Sequence, residues 1–160
     1  MLWQAKAVGR WEVSEMAVSF VDGRVRDWMA APLPAITPRT GIATALRLLR
    51  ENGAQALPVF DGVRFVGLVD EASLLRFTPS EATTLDVYEL REVLDRLTVA
   101  RATARTEAVA PDAPLSTAAA AMGRTRTRVL PVMDGDRLVG LLPWTRLLAA
   151  AADEPERAPA

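Results

Sequence analysis

The sequence ALPVFDGVRFVGLVD, at residues 56–70, decides the fold of this chain because it returns as VLPVMDGDRLVGLLP at residues 129–143. When residues 36–75 are overlaid on residues 109–148 without a gap, 14 of the 40 pairs are identical. Stacked repeat architectures need three or more units. The two copies therefore predict a pair of units that share one core and are related by a pseudo-twofold axis.

Each copy has the pattern of a strand, a helix, two strands and a second helix. An Asp-Gly pair, at residues 61–62 and 134–135, stands between two apolar runs, which is typical of a tight β-hairpin. We expect Thr40 to cap the first helix and Gly53 to end it, while Pro114 suits the first turn of the equivalent helix. The predicted elements are extended residues at 36 and 109, helices that include 42–49 and 115–122, strands over 56–60, 64–69, 129–133 and 137–142, and final helices over 71–77 and 143–151.

The chain has 160 residues and contains neither histidine nor cysteine. This excludes Ser-His-Asp and Cys-His nucleophilic sites, zinc sites built from nitrogen and sulfur ligands, and disulfides. The carboxylates of Asp61 and Asp134 are explained by turn formation. We therefore expect no catalytic residue, no metal site and no enzymatic activity.

The charge pattern and the apolar runs also restrict the partners. A net charge of -1 gives no field that would attract nucleic acid or an anionic membrane. No run of apolar residues reaches the roughly 18 to 20 that a membrane helix requires, so no direct membrane insertion is expected. The N-terminal residues lack the pattern of an export signal. The sequence predicts a cytoplasmic location.

The two copies of Leu-Pro-Val, Asp-Gly and Val-Gly-Leu, at these intervals, resemble the CBS domain, named after cystathionine β-synthase. Two such domains in tandem resemble a Bateman module. The resemblance implies an α/β fold of the α+β kind, with two repeats, a pseudo-twofold axis and an N-terminal helix. The expected division is residues 1–23 as N-terminal helix or linker, 24–78 as the first repeat, 79–96 as inter-repeat linker and helix, 97–151 as the second repeat, and 152–160 as a disordered tail.

The same resemblance implies a regulatory, ligand-sensing module with two clefts between the repeats. Such modules commonly bind adenosine-containing ligands and form homodimers. No cofactor is required for this role, and AMP, ADP, ATP or S-adenosylmethionine is the expected kind of regulatory ligand. A purely structural dimerisation module without a nucleotide remains the alternative.

The ribose-binding pattern of the family is incomplete in both copies. Family members that bind adenosine nucleotides carry Gly, two apolar residues, Ser or Thr, two further residues and Asp. In the first copy these positions hold Asp70 and Ser73, so the carboxylate and the hydroxyl are present in reversed order. In the second copy they hold Pro143 and Arg146. The usual grip on a ribose diol is therefore absent from both clefts.

The phosphate and base positions can also be assigned by resemblance. Gln55 and Arg128 occupy the position that often faces ligand phosphate. Arg128 and Arg146 could together form an anion pocket, with Arg124, Arg126 and Arg128 on one face if residues 124–128 are extended. The alternative is that these arginines form a solvated strand edge. The expected base-lining residues are Met29, Leu33, Pro34 and Ala35 in one copy, and Thr106, Glu107 and Ala108 in the other.

The N-terminal 22 residues carry apolar side chains close to helical spacing, which predicts an amphipathic helix that packs on the module or a dimer mate. This segment also resembles the linker that precedes the cytosolic CBS pair of site-2-protease-like membrane metalloproteases. The His-Glu-x-x-His motif of that family is absent. The chain could then be the cytosolic regulatory tail of such a protein. An upstream membrane or enzyme domain is the expected regulated partner.

Overall fold

The computed structural model describes residues 23–77, 88 and 96–152. The predicted N-terminal helix and C-terminal tail lie outside the described residues, as does most of the predicted inter-repeat helix. Of that helix, Tyr88 and Arg96 are described and are helical. No helix within the described ranges combines the length and the apolarity needed to cross a bilayer.

Both copies fold with the predicted order of elements. Ile36 and Val109 each form a single parallel bridge, to Val59 and Val132, and take the place of the predicted first strands. The elements are α1 (Val25–Trp28), α2 (Ile42–Glu51), β1 (Ala56–Asp61), β2 (Arg64–Asp70), α3 (Glu71–Leu75), a 3-10 turn (Val99–Arg101), α4 (Leu115–Thr125), β3 (Val129–Asp134), β4 (Arg137–Pro143) and α5 (Trp144–Ala151).

The two hairpins confirm the Asp-Gly turns. Asp61 pairs with Arg64, and Asp134 pairs with Arg137, so each turn contains two residues. Glycine is the first of the two and has φ near +60° in both turns, which is the conformation that a type II′ hairpin turn requires. Each hairpin then shows a register shift at the same place, after Val59 and after Val132.

The helix starts differ from the prediction. The N-cap of α2 is Gly41, and the Thr40 hydroxyl instead accepts a hydrogen bond from the backbone N–H of Thr37 at 3.1 Å. Thr40 is therefore used to close the turn that precedes the helix. In the second copy Pro114 itself is the N-cap, with ψ of 147°, and α4 begins one residue later at Leu115.

The predicted end of α2 is confirmed. Gly53 follows the C-cap residue Asn52 and has a φ of +56°, in the left-handed region that glycine adopts readily. At the equivalent end of α4 the left-handed residue is Arg126, with a φ of 53°. An arginine thus occupies a backbone position for which the first copy uses glycine.

The segments that lead into the repeats are exchanged between them. Val25 of α1 is fully buried in the core of the second repeat, with Leu115, Leu130 and Leu147. Val99 of the 3-10 turn is fully buried in the core of the first repeat. Each half of the folded module therefore contains residues from both sequence repeats, and residues 31–35 and 105–108 connect the halves.

The exchange explains the glycine of each Val-Gly-Leu motif. Ala104 pairs with Leu68 on β2, and Ala30 pairs with Leu141 on β4. A Cβ at Gly140 would lie 2.7 Å from Met29 Sδ and 2.8 Å from Ala30 O, and a Cβ at the equivalent Gly67 would overlap Ala104 O. Both glycines are therefore required for the close approach of the exchanged segment.

A third apolar cluster joins the two halves. It contains Ala56 and Leu68 from the first hairpin and Val129 and Leu141 from the second. These residues lie at the open end of each hairpin, opposite the turn, where α3 and α5 begin. The two clefts described below open beside this cluster and share several of its residues.

Candidate functional site

Two clefts lie between the repeats and are related by the offset of 73 residues. The first cleft has a volume of about 630 Å³ and the second about 280 Å³. The first cleft is lined by Gln55, Ala56, Leu68, Asp70, Glu71, Ala72, Ser73, Ala104, Thr106, Arg126, Thr127, Arg128, Val129, Trp144 and Thr145. The second is lined by Ala30, Ala31, Leu33, Asn52, Gly53, Ala54, Gln55, Ala56, Val129, Leu141, Pro143, Thr145 and Arg146.

The acidic wall of the first cleft is the start of α3. Asp70 is the N-cap of this helix, and its Oδ1 accepts a hydrogen bond of 2.7 Å from the backbone N–H of Ser73. The reversed order of carboxylate and hydroxyl therefore has a structural consequence, because the carboxylate now caps the helix. Oδ2 of Asp70 has no partner among the described residues and is available to a ligand. The adjacent Glu71 pairs with Arg50 at 3.4 Å.

The basic wall of the first cleft is the segment between α4 and β3. Arg126 and Arg128 are both exposed and both line the cleft. Within the described ranges neither of them has a carboxylate partner, whereas Arg124 pairs with Glu107 at 2.6 Å. A cleft lined both by guanidinium groups without a carboxylate partner and by the Asp70 carboxylate suits a ligand that has both an anionic and a hydroxyl-bearing part.

The prediction that residues 124–128 are extended is wrong. The helix α4 continues to Thr125, and Arg126 then adopts the left-handed conformation. The helix persists because its buried face, which includes Ala118, Ala121 and Met122, packs into the core of the second repeat. Arg124, Arg126 and Arg128 consequently do not share one extended face.

The structure also separates Arg128 from Arg146, which were predicted to form one anion pocket. Arg128 lines the first cleft, while Arg146 lines the second. Nη1 of Arg146 donates a hydrogen bond of 3.4 Å to the carbonyl oxygen of Trp28. The reason is the pseudo-twofold axis, which assigns position 146 to the cleft opposite its counterpart Ser73. The second cleft also lacks a carboxylate at the Asp70 position, where it has Pro143.

One side-chain hydrogen bond links two residues that line both clefts. Nε2 of Gln55 donates to the hydroxyl of Thr145 at 3.2 Å, and both residues line both clefts. Gln55 and Arg128 occupy equivalent positions in the two repeats. Both line the first cleft, which therefore contains both of the predicted phosphate-facing residues. Gln55 is held by this hydrogen bond, whereas Arg128 has no such contact among the described residues.

The predicted base-lining residues are distributed unequally. Thr106 lines the first cleft and Leu33 the second, at equivalent positions. Met29 packs against the core of the second repeat and beside Gly140, and Glu107 is engaged by Arg124. Pro34, Ala35 and Ala108 are exposed and lie outside both linings.

Sequence reasoning did not assign several lining residues of the first cleft to the site. Arg126, Trp144 and Thr145 are among them. The offset of 73 residues could have identified Arg126, because its counterpart is Gly53, the predicted helix-ending glycine. Trp144 is 41% exposed. No local motif marks Trp144 or Thr145.

No group of three or more acidic side chains in the described part of the chain is arranged to hold a metal ion. The polar groups of the clefts instead suit an organic anion. The chemistry that these residues support is binding, through guanidinium donors, carboxylate and hydroxyl acceptors and an apolar floor formed by Ala56, Leu68 and Val129.

Comparisons with known proteins agree with this architecture. The chain matches solved structures of the CBS domain of a membrane protein from Sphaerobacter thermophilus (TM-score 0.73, 20% identity, 86% of this chain and 93% of that chain) and of a bacterial CNNM/CorC Mg²⁺ transporter in complex with ATP (TM-score 0.71, 20% identity, 90% and 97%). It also matches CBSX2 in complex with AMP (TM-score 0.63, 28% identity, 81% and 96%). No curated protein sequence matches the chain. The family model for the CBS domain matches residues 25–80 and 102–153, and the chain therefore belongs to the CBS domain family as a tandem pair.

Proposed function

We propose that this CBS pair is a regulatory module that binds an adenosine-containing nucleotide in the first cleft. The observation that carries the proposal is that Arg126, Arg128 and Asp70 line the same cleft. The solved CBS structures that contain AMP or ATP support the same class of ligand.

Charge determines how such a ligand would be oriented. A phosphate is repelled by the acidic start of α3 and attracted by the two guanidinium groups, which can donate bidentate hydrogen bonds. The ribose hydroxyls would donate to Oδ2 of Asp70, the carboxylate oxygen left over from helix capping. The reversed Asp70–Ser73 order therefore reduces the acceptors available to the ribose from two carboxylate oxygens to one.

The second cleft is proposed to be unsuited to a nucleotide. It is less than half the volume of the first, and Pro143 supplies no acceptor for a ribose. Arg146 is engaged by the carbonyl of Trp28. The affinity of a ligand falls strongly when one of its polar groups is buried in a site without a hydrogen-bond partner.

The bound ligand is proposed to act on a partner through the N-terminal side of the module. Gly23, the first described residue, accepts a hydrogen bond from the backbone N–H of Leu115, and Val25 lies in the core of the second repeat. A change in the angle between the halves would therefore move this attachment point. Relatives from membrane proteins support a cytosolic module that regulates an attached or separate membrane protein.

The affinity of the purified protein for AMP, ADP, ATP and S-adenosylmethionine, measured by isothermal titration calorimetry, tests the proposal. Replacing Arg128 by Ala should weaken AMP binding about tenfold or more, because a hydrogen bond to a charged group contributes roughly 1.5–3 kcal/mol. Arg39→Ala, at an exposed arginine outside both clefts, is the matched control and should leave binding unchanged.

S-adenosylmethionine carries no phosphate, so its binding alone, without AMP, ADP or ATP, would contradict the assigned role of the arginines. Failure of all four compounds to bind at millimolar concentration would sink the sensor proposal. The structural dimerisation module would then be favoured.

A homodimer is proposed in either case. Leu75 and Leu148 occupy equivalent positions on α3 and α5 and are 48% and 55% exposed. Both are large apolar side chains, and a second copy would cover their exposed surface. Light scattering on the eluting protein measures the oligomeric state, and a monomer at micromolar concentration would contradict the homodimer.

A further inference from the structure

The hydroxyl of Thr106 differs from those of the neighbouring threonines. Its Oγ1 is shielded from solvent and has no hydrogen-bond partner in the part of the chain that the structure describes. By contrast, Thr103 Oγ1 donates to Val99 O at 2.8 Å, and Thr127 Oγ1 donates to Val129 O at 3.0 Å. Thr106 as a whole is only partly buried and lines the first cleft.

These facts show which part of the side chain faces the cleft. Because Oγ1 is shielded while the residue lines the cleft, the exposed part of Thr106 is not the hydroxyl. Side chains occupy staggered wells about 120° apart, so a single turn about χ1 can carry Oγ1 into the position that the methyl carbon held, while the methyl carbon takes the position of the hydrogen on Cβ. Buried polar groups are normally paired, and an unpaired hydroxyl destabilises the state that contains it.

We infer that Thr106 is a specificity-determining switch of the first cleft, whose hydroxyl turns into the cleft on binding and hydrogen-bonds a polar atom of the ligand's base. The inference rests on the proposed nucleotide binding and names the residue that reads the base. Ligand binding removes the unpaired hydroxyl of the free protein. The ligand therefore favours the turned state by its differential interaction with the two states.

The surroundings of Thr106 suit a planar base. Ala104, two residues earlier, exchanges backbone hydrogen bonds of 3.0 Å with Leu68, and both residues line the cleft with apolar atoms. The charged groups of the cleft are assigned to the phosphate and the ribose. The hydroxyl of Thr106 can both donate and accept a hydrogen bond, and it is therefore suited to the polar edge of a base.

The equivalent residue of the second cleft is Leu33, which has no polar atom in its side chain. The switch is therefore confined to the first cleft. This asymmetry agrees with the unequal volumes and with the absence of a ribose acceptor at Pro143.

The test combines two ligands and three variants. Ribose 5-phosphate carries the anomeric hydroxyl where AMP carries adenine, so the change in the ratio of their affinities between variants measures how a residue contributes to binding of the base. Thr106→Val has nearly the same shape and removes the hydroxyl, while Thr106→Ser keeps it. Thr103→Val, which removes a hydroxyl that is already paired inside the first half of the module, is the matched control.

We expect Thr106→Val to raise the melting temperature of the ligand-free protein by about 2–4 °C. The same variant should weaken AMP about tenfold and leave ribose 5-phosphate unchanged, while Thr106→Ser should bind AMP like the original protein. Thr103→Val should lower the melting temperature and leave the affinity ratio unchanged. A merely structural hydroxyl would not alter the ratio of the two affinities.

Two outcomes overturn the inference and can be told apart. If the original protein binds AMP and Thr106→Val binds it equally well, the base is not read by Thr106, while the proposed function stands. If the original protein binds neither ribose 5-phosphate nor any of AMP, ADP, ATP and S-adenosylmethionine, the proposed function fails, and the inference fails with it.

Discussion

Arg126 combines a strained backbone with a position in the first cleft, and exchanging it for glycine separates the two properties. Its φ of 53° places an L-residue in the left-handed region, which costs roughly 1–2 kcal/mol. Glycine adopts this region readily but loses more chain entropy on folding, by about 0.5–1 kcal/mol relative to alanine. Arg126→Gly should therefore stabilise the ligand-free protein by about 0.5–1 kcal/mol.

For a chain of this size the gain corresponds to a rise of about 1–4 °C in melting temperature. Ligand binding should change in the opposite direction. Loss of one charge-assisted hydrogen bond, roughly 1.5–3 kcal/mol, should weaken AMP about tenfold to a hundredfold. Urea denaturation monitored by circular dichroism measures the first effect, and calorimetry with AMP measures the second.

The equivalent glycine of the first repeat supplies the matched control. Gly53 has a φ of +56°, and a Cβ at this position would meet no atom within 4 Å. Gly53→Ala should therefore destabilise the protein by about 0.5–1 kcal/mol, because the backbone strain is partly offset by the smaller loss of chain entropy. A loss of stability in Arg126→Gly would refute the strain argument, and an unchanged affinity for AMP would refute the role of Arg126 in the cleft.

Two further changes test other contacts. Gly140→Ala should destabilise the protein by about 1–3 kcal/mol, because the added Cβ would lie 2.7 Å from Met29 Sδ and 2.8 Å from Ala30 O. Gly123→Ala in α4 has nothing within 4 Å and should instead stabilise by roughly 0.5–1 kcal/mol, so equal urea midpoints for the two variants would contradict the close-approach explanation. Thr145→Val removes the 3.2 Å hydrogen bond to Gln55 and should lower the free energy of unfolding by about 0.5–1 kcal/mol, a loss that would be absent if this contact does not persist in solution.

The repeat predicts most of the fold because its signals are local. An Asp-Gly turn between apolar runs specifies a hairpin within a few residues, and Gly53 ends α2 where expected. The exchange of the segments around Val25 and Val99 carries no local signal, because either repeat core could accept a valine. Burial in a particular core is decided only when both repeats are folded.

The candidate site was predicted in part. The first cleft is lined by five residues that the resemblance assigns to ligand binding. These are Gln55, Asp70, Ser73, Thr106 and Arg128. The prediction grouped Arg146 with Arg128, whereas Arg146 lines the second cleft and Arg128 the first. The grouping of residues across a pseudo-twofold axis depends on how the halves meet, and sequence spacing within one repeat does not contain that information.

The sequence by itself determined that this chain is a tandem CBS pair, because short-range turn, strand and helix patterns repeat with a constant offset. Only the tertiary structure decided which residues face each other, since the exchanged segments and the joining apolar cluster bring together side chains that are far apart in the sequence, such as those of Val25 and Leu115. That long-range packing divides the site into a larger cleft lined by both arginines and carboxylates and a smaller one with no carboxylate among its described lining residues. It also left the Thr106 hydroxyl without a partner in the described part of the chain.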